Sequence, residues 1–190
     1  MKRIYLIHGW DGNPENHWFP WLKKELESRG FTVFNLEMPD SPNPKIESWV
    51  NHIKKRVGKV DKDTYFIGHS IGCQAIMRYL EELNKNEKVG GIVFVAGWFN
   101  LPYLQTKEEK QIAKPWLETP INANKVSVHT KNVIAIFSDN DPDVSLEDSK
   151  LFKEKLGAKI IVEHKRGHFT ADAGVNELPI VLKEILEMVK

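Results

Sequence analysis

The stretch TYFIGHSIGCQAIMRYL, residues 64–80, decides the fold. Thr64 to His69 form a short β-branched and aromatic run that reads as a buried strand, and from Cys73 the run CQAIMRYLEEL has helical spacing. Between them lies Gly68-His69-Ser70-Ile71-Gly72, a G-x-S-x-G pattern at a strand-to-helix junction. The steric logic is specific. A serine at so sharp a turn adopts strained backbone angles, and small residues at 68 and 72 let strand and helix approach. Its Oγ then projects beyond the carboxyl edge of the sheet, while the Ile71 amide, at a helix N-terminus, is directed at any negative charge developing there. A helix N-cap is the plainer role for such a serine. The position of the motif after the third strand of an alternating chain favours the nucleophile. Cys73, one turn into the same helix, reads as a small buried residue.

Outward from this junction, RIYLIH (3–8), FTVFNL (31–36), GIVFVAG (91–97), NVIAIFS (132–138) and KIIVEH (159–164) read as further strands. Each is nearly apolar throughout, as expected of strands buried on both faces. Ile46, Trp49, Val50, Ile53 and Val57 recur at helical spacing between Asn43-Pro44, expected as N-cap and first-turn proline, and Gly58. Segments 17–29, 72–84, 145–156 and 175–189 have similar spacing, with Pro20 required either to sit in the first turn of its helix or to break it. Strands alternating with helices predict a mostly parallel, six-stranded α/β sheet with helices on both faces, and right-handed crossovers favour the order 2-1-3-4-5-6. Residues 1–190 are expected to form one domain without a linker or large cap domain. Residues 98–131 are too long for a bare connection and are expected to hold a small apolar flap, the alternative being that their aromatics complete the core.

Lys plus Arg number 27 against 26 Asp plus Glu, a net charge of +1 that gives no reason to expect a nucleic-acid partner. The single cysteine cannot form an intrachain disulfide, and the opening MKRIYLIHGW lacks the long apolar segment of a signal peptide. The expectation is therefore a cytoplasmic protein. The longest apolar stretch, Ile92 to Phe99, is far short of the roughly 20 residues needed to span a bilayer, so no membrane association is expected.

An activated serine needs an imidazole to take its proton, and that imidazole needs a carboxylate to fix its tautomer. After the fifth strand comes Phe137-Ser138-Asp139-Asn140-Asp141-Pro142-Asp143-Val144, and after the sixth Arg166-Gly167-His168-Phe169. The order Ser70, Asp141, His168 fits a strand-loop arrangement in which both loops reach the end of the third strand. Spacing alone leaves Asp139 and Asp141 as alternatives. Pro142 favours Asp141, because it holds the preceding residue extended just before a helix. His168 is the expected base, with His164 as the fallback at the strand's end. Ile7-His8-Gly9-Trp10 leaves the first strand, and the Trp10 backbone N–H is the expected second oxyanion donor beside Ile71. His8 reads as fixing that loop, His69 as packing away from the substrate side, and His17 as loop packing at the start of a helix. Trp98, Phe99, Trp116 and Phe169 are candidates for the substrate pocket.

Taken together, IHGW, NHWFPWLKKEL, GHSIG, VFVAGWF, FSDNDPDV and GHF, across residues 3–170, resemble the small serine hydrolases of the retinoblastoma-binding serine hydrolase and YdeN type within the α/β-hydrolase superfamily. The resemblance implies a Ser-His-Asp triad without metal or other cofactor, and maps the acid to Asp141 by its Asp-Pro-x-hydrophobic context. Ser145 stands where many relatives carry proline. The expected activity is carboxylesterase-like: hydrolysis of a small-molecule ester, thioester or amide through an acyl-enzyme. The alternative from another class is a binding protein on the same fold.

Overall fold

The computed structural model describes residues 1–190. Its strands are β1 (Arg3–Ile7), β2 (Thr32–Leu36), β3 (Thr64–His69), β4 (Gly91–Val95), β5 (Val133–Ser138) and β6 (Lys159–Glu163). They pair in the order β2-β1-β3-β4-β5-β6, every neighbour parallel. Parallel neighbours require crossovers, which the helices supply: α1 (Phe19–Glu27), α2 (Ile46–Val57), α3 (Ile71–Glu81), α4 (Lys107–Glu118), α5 (Ala123–Ser127), α6 (Asp148–Leu156) and α7 (Pro179–Met188). This is the α/β-hydrolase arrangement, with β3 between β1 and β4 and Ser70 at its carboxyl end.

Side chains alternate between two cores, as strand geometry requires. Tyr5, Ile7, Phe66 and Phe94 pack with residues of α2, α3 and α6, whereas Ile4, Leu6, Ile67 and Val95 pack with α1 and α7. The expectation of strands buried on both faces fails at β6, where Lys159 and Val162 are exposed, because nothing pairs with that edge of the sheet. Pro20 sits in the first turn of α1. The start of α2 is corrected from Asn43-Pro44 to Ile46, with Lys45 at the N-cap. Pro44 is buried outside the helix, and its carbonyl accepts the Trp116 indole N–H at 2.8 Å.

Residues 98–131 contain two helices that the sequence reading left unassigned. Helix α4 opens on a capping box: Thr106 Oγ1 accepts from the Glu109 amide at 3.0 Å, and Glu109 Oε2 accepts from the Thr106 amide at 2.9 Å. No helix is long and apolar enough to cross a membrane.

Candidate active site

Ser70 stands at φ +52° and ψ −123°, a conformation that side chains rarely adopt, and its amide donates to the Val95 carbonyl at 2.9 Å. The flanking glycines allow this turn. A Cβ at Gly72 would lie 2.4 Å from the Ile7 carbonyl oxygen, and one at Gly68 would lie 2.9 Å from the Cys73 nitrogen. Both contacts are with backbone, so the sheet and α3 would have to separate. Ile71 opens α3, so its N–H has no intrahelical acceptor.

The loop after β1 reaches the same end of the sheet. His8 is buried; its Nε2 accepts from the Met38 amide at 3.0 Å, so the proton is on Nδ1, which donates to the Gly9 carbonyl at 2.8 Å. Burial lowers its pKa and keeps it neutral. The Trp10 indole donates to the Pro42 carbonyl at 2.9 Å, and Trp10 lines the same cleft as Ser70.

His168 Nδ1 lies 2.9 and 3.0 Å from the two oxygens of Asp141. A carboxylate only accepts, so Nδ1 carries the hydrogen and Nε2 is free to act as a base. The Asp141 side chain is 2% exposed, and its Oδ1 also accepts from the Asp143 and Val144 amides at 2.9 and 3.0 Å. His168 makes no hydrogen bond to Ser70 in this resting arrangement, although both line one cleft; such pairs often tighten only with substrate present. Asp139 faces elsewhere. It accepts from the Lys165 amide at 2.8 Å and contacts His164 Nδ1. Asp141, Asp143 and His168 bring potential metal-ligating atoms within 4.8 Å of one another. Both Asp141 oxygens and His168 Nδ1 are, however, already engaged in hydrogen bonds.

The cleft has a volume of about 570 Å³. Trp98 lines it, with Leu101, Tyr103, Leu104 and Ile112 from the segment 98–131. Three expected pocket residues do not. Trp116 is buried in the core edge-on to Trp49, Phe99 packs on Phe152, and Phe169 is buried under α1 with its carbonyl accepting the Trp18 indole at 3.1 Å. Large apolar side chains were drawn into the core rather than left facing a wet cleft.

His69 was read only as packing away from the substrate side, yet it lines the cleft. It is 2% exposed, and its Nε2 donates to the His168 carbonyl at 2.8 Å. Burial drives its pKa well down, helped by His168, so it is a neutral strut between β3 and the His168 loop. Ser138 and Asn140 were also missed. The Ser138 hydroxyl donates to Asn140 Oδ1 at 2.8 Å, and that oxygen also accepts from the Gly167 amide at 2.9 Å, tying the Asp141 loop to the His168 loop. Burial raises the Cys73 thiol far above the ordinary range, so it is not held as a thiolate.

A family model described as serine hydrolase matches residues 4–187. The chain belongs to the serine hydrolase family. YdeN of Bacillus subtilis (strain 168) is 34% identical over 181 residues, 95% of this chain and 92% of YdeN. The crystal structure of the ydeN gene product superposes with a TM-score of 0.90 at 31% identity, covering 100% of this chain and 99% of that one. Serine hydrolase RBBP9 of Rattus norvegicus is 26% identical over 187 residues, 97% of this chain and 95% of its own. A carboxylesterase structure from Nitrososphaera gargenis matches with a TM-score of 0.70 at 17% identity, covering 99% of this chain and 90% of that one, a likeness of fold alone. This serine hydrolase is therefore a hydrolase by family, with a cleft at the carboxyl edge of its sheet.

Proposed function

We propose that this serine hydrolase cleaves small carboxylic esters through an acyl-enzyme, with Ser70 as nucleophile, His168 as base and Asp141 as the acid that orients it. The observation that carries this reading is the Nδ1 hydrogen bond from His168 to the buried Asp141, with His168 and the strained Ser70 on one cleft. Ser70 Oγ attacks the ester carbonyl carbon as His168 Nε2 takes its proton, and Asp141 stabilises the imidazolium. The amides of Trp10 and Ile71 receive the oxyanion. The alkoxide leaves with the proton from His168, and water deacylates the serine by the same route. Thioesters and amides would use the same groups.

The acidic residues on the cleft are Asp11, Glu108, Glu109 and Asp143, and neither Lys nor Arg lines it. That balance supports an uncharged ester over an anionic one. The segment 98–131 supplies one wall and is read as a fixed flap within one domain. A single buried cysteine supports a reducing, cytoplasmic setting.

The test is labelling with a fluorophosphonate probe beside an ester panel, using Ser70→Ala as control. The expected result is labelling and turnover in the wild type and neither in the folded variant. Hydrolysis retained up to about 10³ to 10⁴-fold over water is compatible with binding and oxyanion contacts alone. A wild-type serine that does not label would instead favour a binding protein.

A further inference from the structure

A second hollow of about 290 Å³ lies beside the cleft, and Ile112 lines both. The two share walls as well as this residue. On one side the loop after β2 passes from Pro42 at the cleft to Asn43, Pro44, Lys45 and Ile46 at the second hollow. On the other, α4 contributes Glu108 and Ile112 to the cleft, then Ile112 and Pro115 to the hollow. Residues 108, 112 and 115 follow one face of a helix, so the trough advances roughly 10 Å along α4 at 1.5 Å per residue.

Both walls are fixed in advance of any ligand. The prolyl carbonyls of 39, 42 and 44 accept the indole N–H groups of Trp49, Trp10 and Trp116 at 2.8, 2.9 and 2.8 Å. At the far end of α4, Arg78 donates to the carbonyls of Trp116 and Thr119, each at 2.8 Å. Pro44, Ile46, Ile112 and Pro115 line the second hollow together with the polar Asn43, Lys45 and Gln111, of which Lys45 alone is charged.

Building on the esterase reading, we propose that the second hollow is a distal subsite for the apolar arm of the ester, and that Ile112 is the ridge over which the arm passes and by which its length is selected. The occupant is an unbranched alkyl arm of medium length. Charge groups would be poorly solvated over Ile112 and Pro115, whereas methylenes gain about fourfold in kcat/KM for each one removed from water.

The experiment compares p-nitrophenyl acetate, butyrate, hexanoate and octanoate, with a matched series of alkyl acetates to show whether the arm belongs to the acyl or the alcohol side. Wild type, Ile112→Trp, Ile112→Ala and Gln111→Trp are assayed, and the readout is the ratio of kcat/KM for the longest and shortest members. Gln111 is exposed and lines only the second hollow. The ratio is internal to each protein, so partial loss of folded enzyme does not move it. We expect kcat/KM to rise with length in one series, the ratio to fall at least about tenfold in Ile112→Trp and Gln111→Trp, and the ratio to rise in Ile112→Ala. A wild-type profile flat in both series, or ratios within about twofold of wild type in both tryptophan variants, overturns the subsite while leaving the esterase reading intact. Absence of both fluorophosphonate labelling and turnover in the wild type overturns the esterase reading, and the subsite with it.

Discussion

Asp139 and Asp141 are two positions apart on one loop, of the same type, and equally able in principle to serve a histidine. Their surroundings separate them. Asp141 is buried, receives two loop amides and holds His168 Nδ1, whereas Asp139 engages His164 and the Lys165 amide. If the proposed triad operates, Asp141→Asn removes the acceptor that fixes the His168 tautomer, and kcat is expected to fall by up to about 10⁴-fold with the fold retained. Asp139→Asn loosens the loop only and should cost less than about tenfold. Both are measured on one ester at saturating substrate, and a greater loss at Asp139 would move the acid role there. Pro142 is what favoured Asp141 in the sequence, because it fixes the backbone of its neighbour. Nothing comparable marked His69. The variable position of a G-x-S-x-G turn does not reveal that its imidazole reaches a carbonyl 99 residues later.

The strands of the central sheet were legible because each apolar run is short, β-branched and set between turn residues. Crossover handedness restricts their order to a few topologies, and the expected 2-1-3-4-5-6 is the one observed. The wall formed by residues 98–131 was harder to read, although Thr106-x-x-Glu109 is a capping-box signature and marks the start of α4. What holds that wall joins residues distant in sequence and ordinary in type. Asp148, 2% exposed at the start of α6, accepts from the Phe99 amide at 2.7 Å, the Asn100 amide at 3.0 Å and Asn100 Nδ2 at 2.8 Å. From α3, Gln74 donates to the Trp98 carbonyl at 3.0 Å. The helix that begins after Ser70 thus also anchors the wall facing it. Deleting the buried acceptor in Asp148→Ala should cost about 3 kcal/mol in urea unfolding, because two backbone donors lose a charged partner. The same variant should raise KM more than it lowers kcat, since the Asp141 and His168 pair is held by other loops. Asp143→Ala removes an exposed carboxylate and should shift stability by less than about 0.5 kcal/mol; equal losses in the two variants would show that the Asp148 clamp carries no special share.

The cleft end of the sheet concentrates histidines whose pKa values burial lowers, which makes stability depend on pH in a definite direction. His8, His17 and His69 all have pKa values lowered from 6.5, chiefly by burial, and His52 on α2 shifts the same way. In the unfolded chain these imidazoles take up protons near 6.5, while in the folded chain they resist doing so. The unfolded state therefore binds more protons as pH falls, and stability must decline with it. Above about pH 7 both states are neutral at these positions and no slope arises from them. Below 6.5, each fully buried imidazole contributes up to about 1.4 kcal/mol per pH unit until pH passes its folded value. Asp61 and Glu87 also have lowered values, but from ordinary ones of 3.8 and 4.5, so their losses belong to more acidic solutions. Urea unfolding between about pH 8 and pH 5 should give a plateau followed by a fall that starts near pH 6.5. His69→Phe tests the source of that fall. It keeps an aromatic ring in the site and removes the titrating nitrogen, so the slope below pH 6.5 should become shallower even though the loss of the bond to the His168 carbonyl lowers stability at every pH. An unchanged slope in that variant would mean that His69 is protonated in the folded protein, and would remove it as the neutral strut beneath the His168 loop.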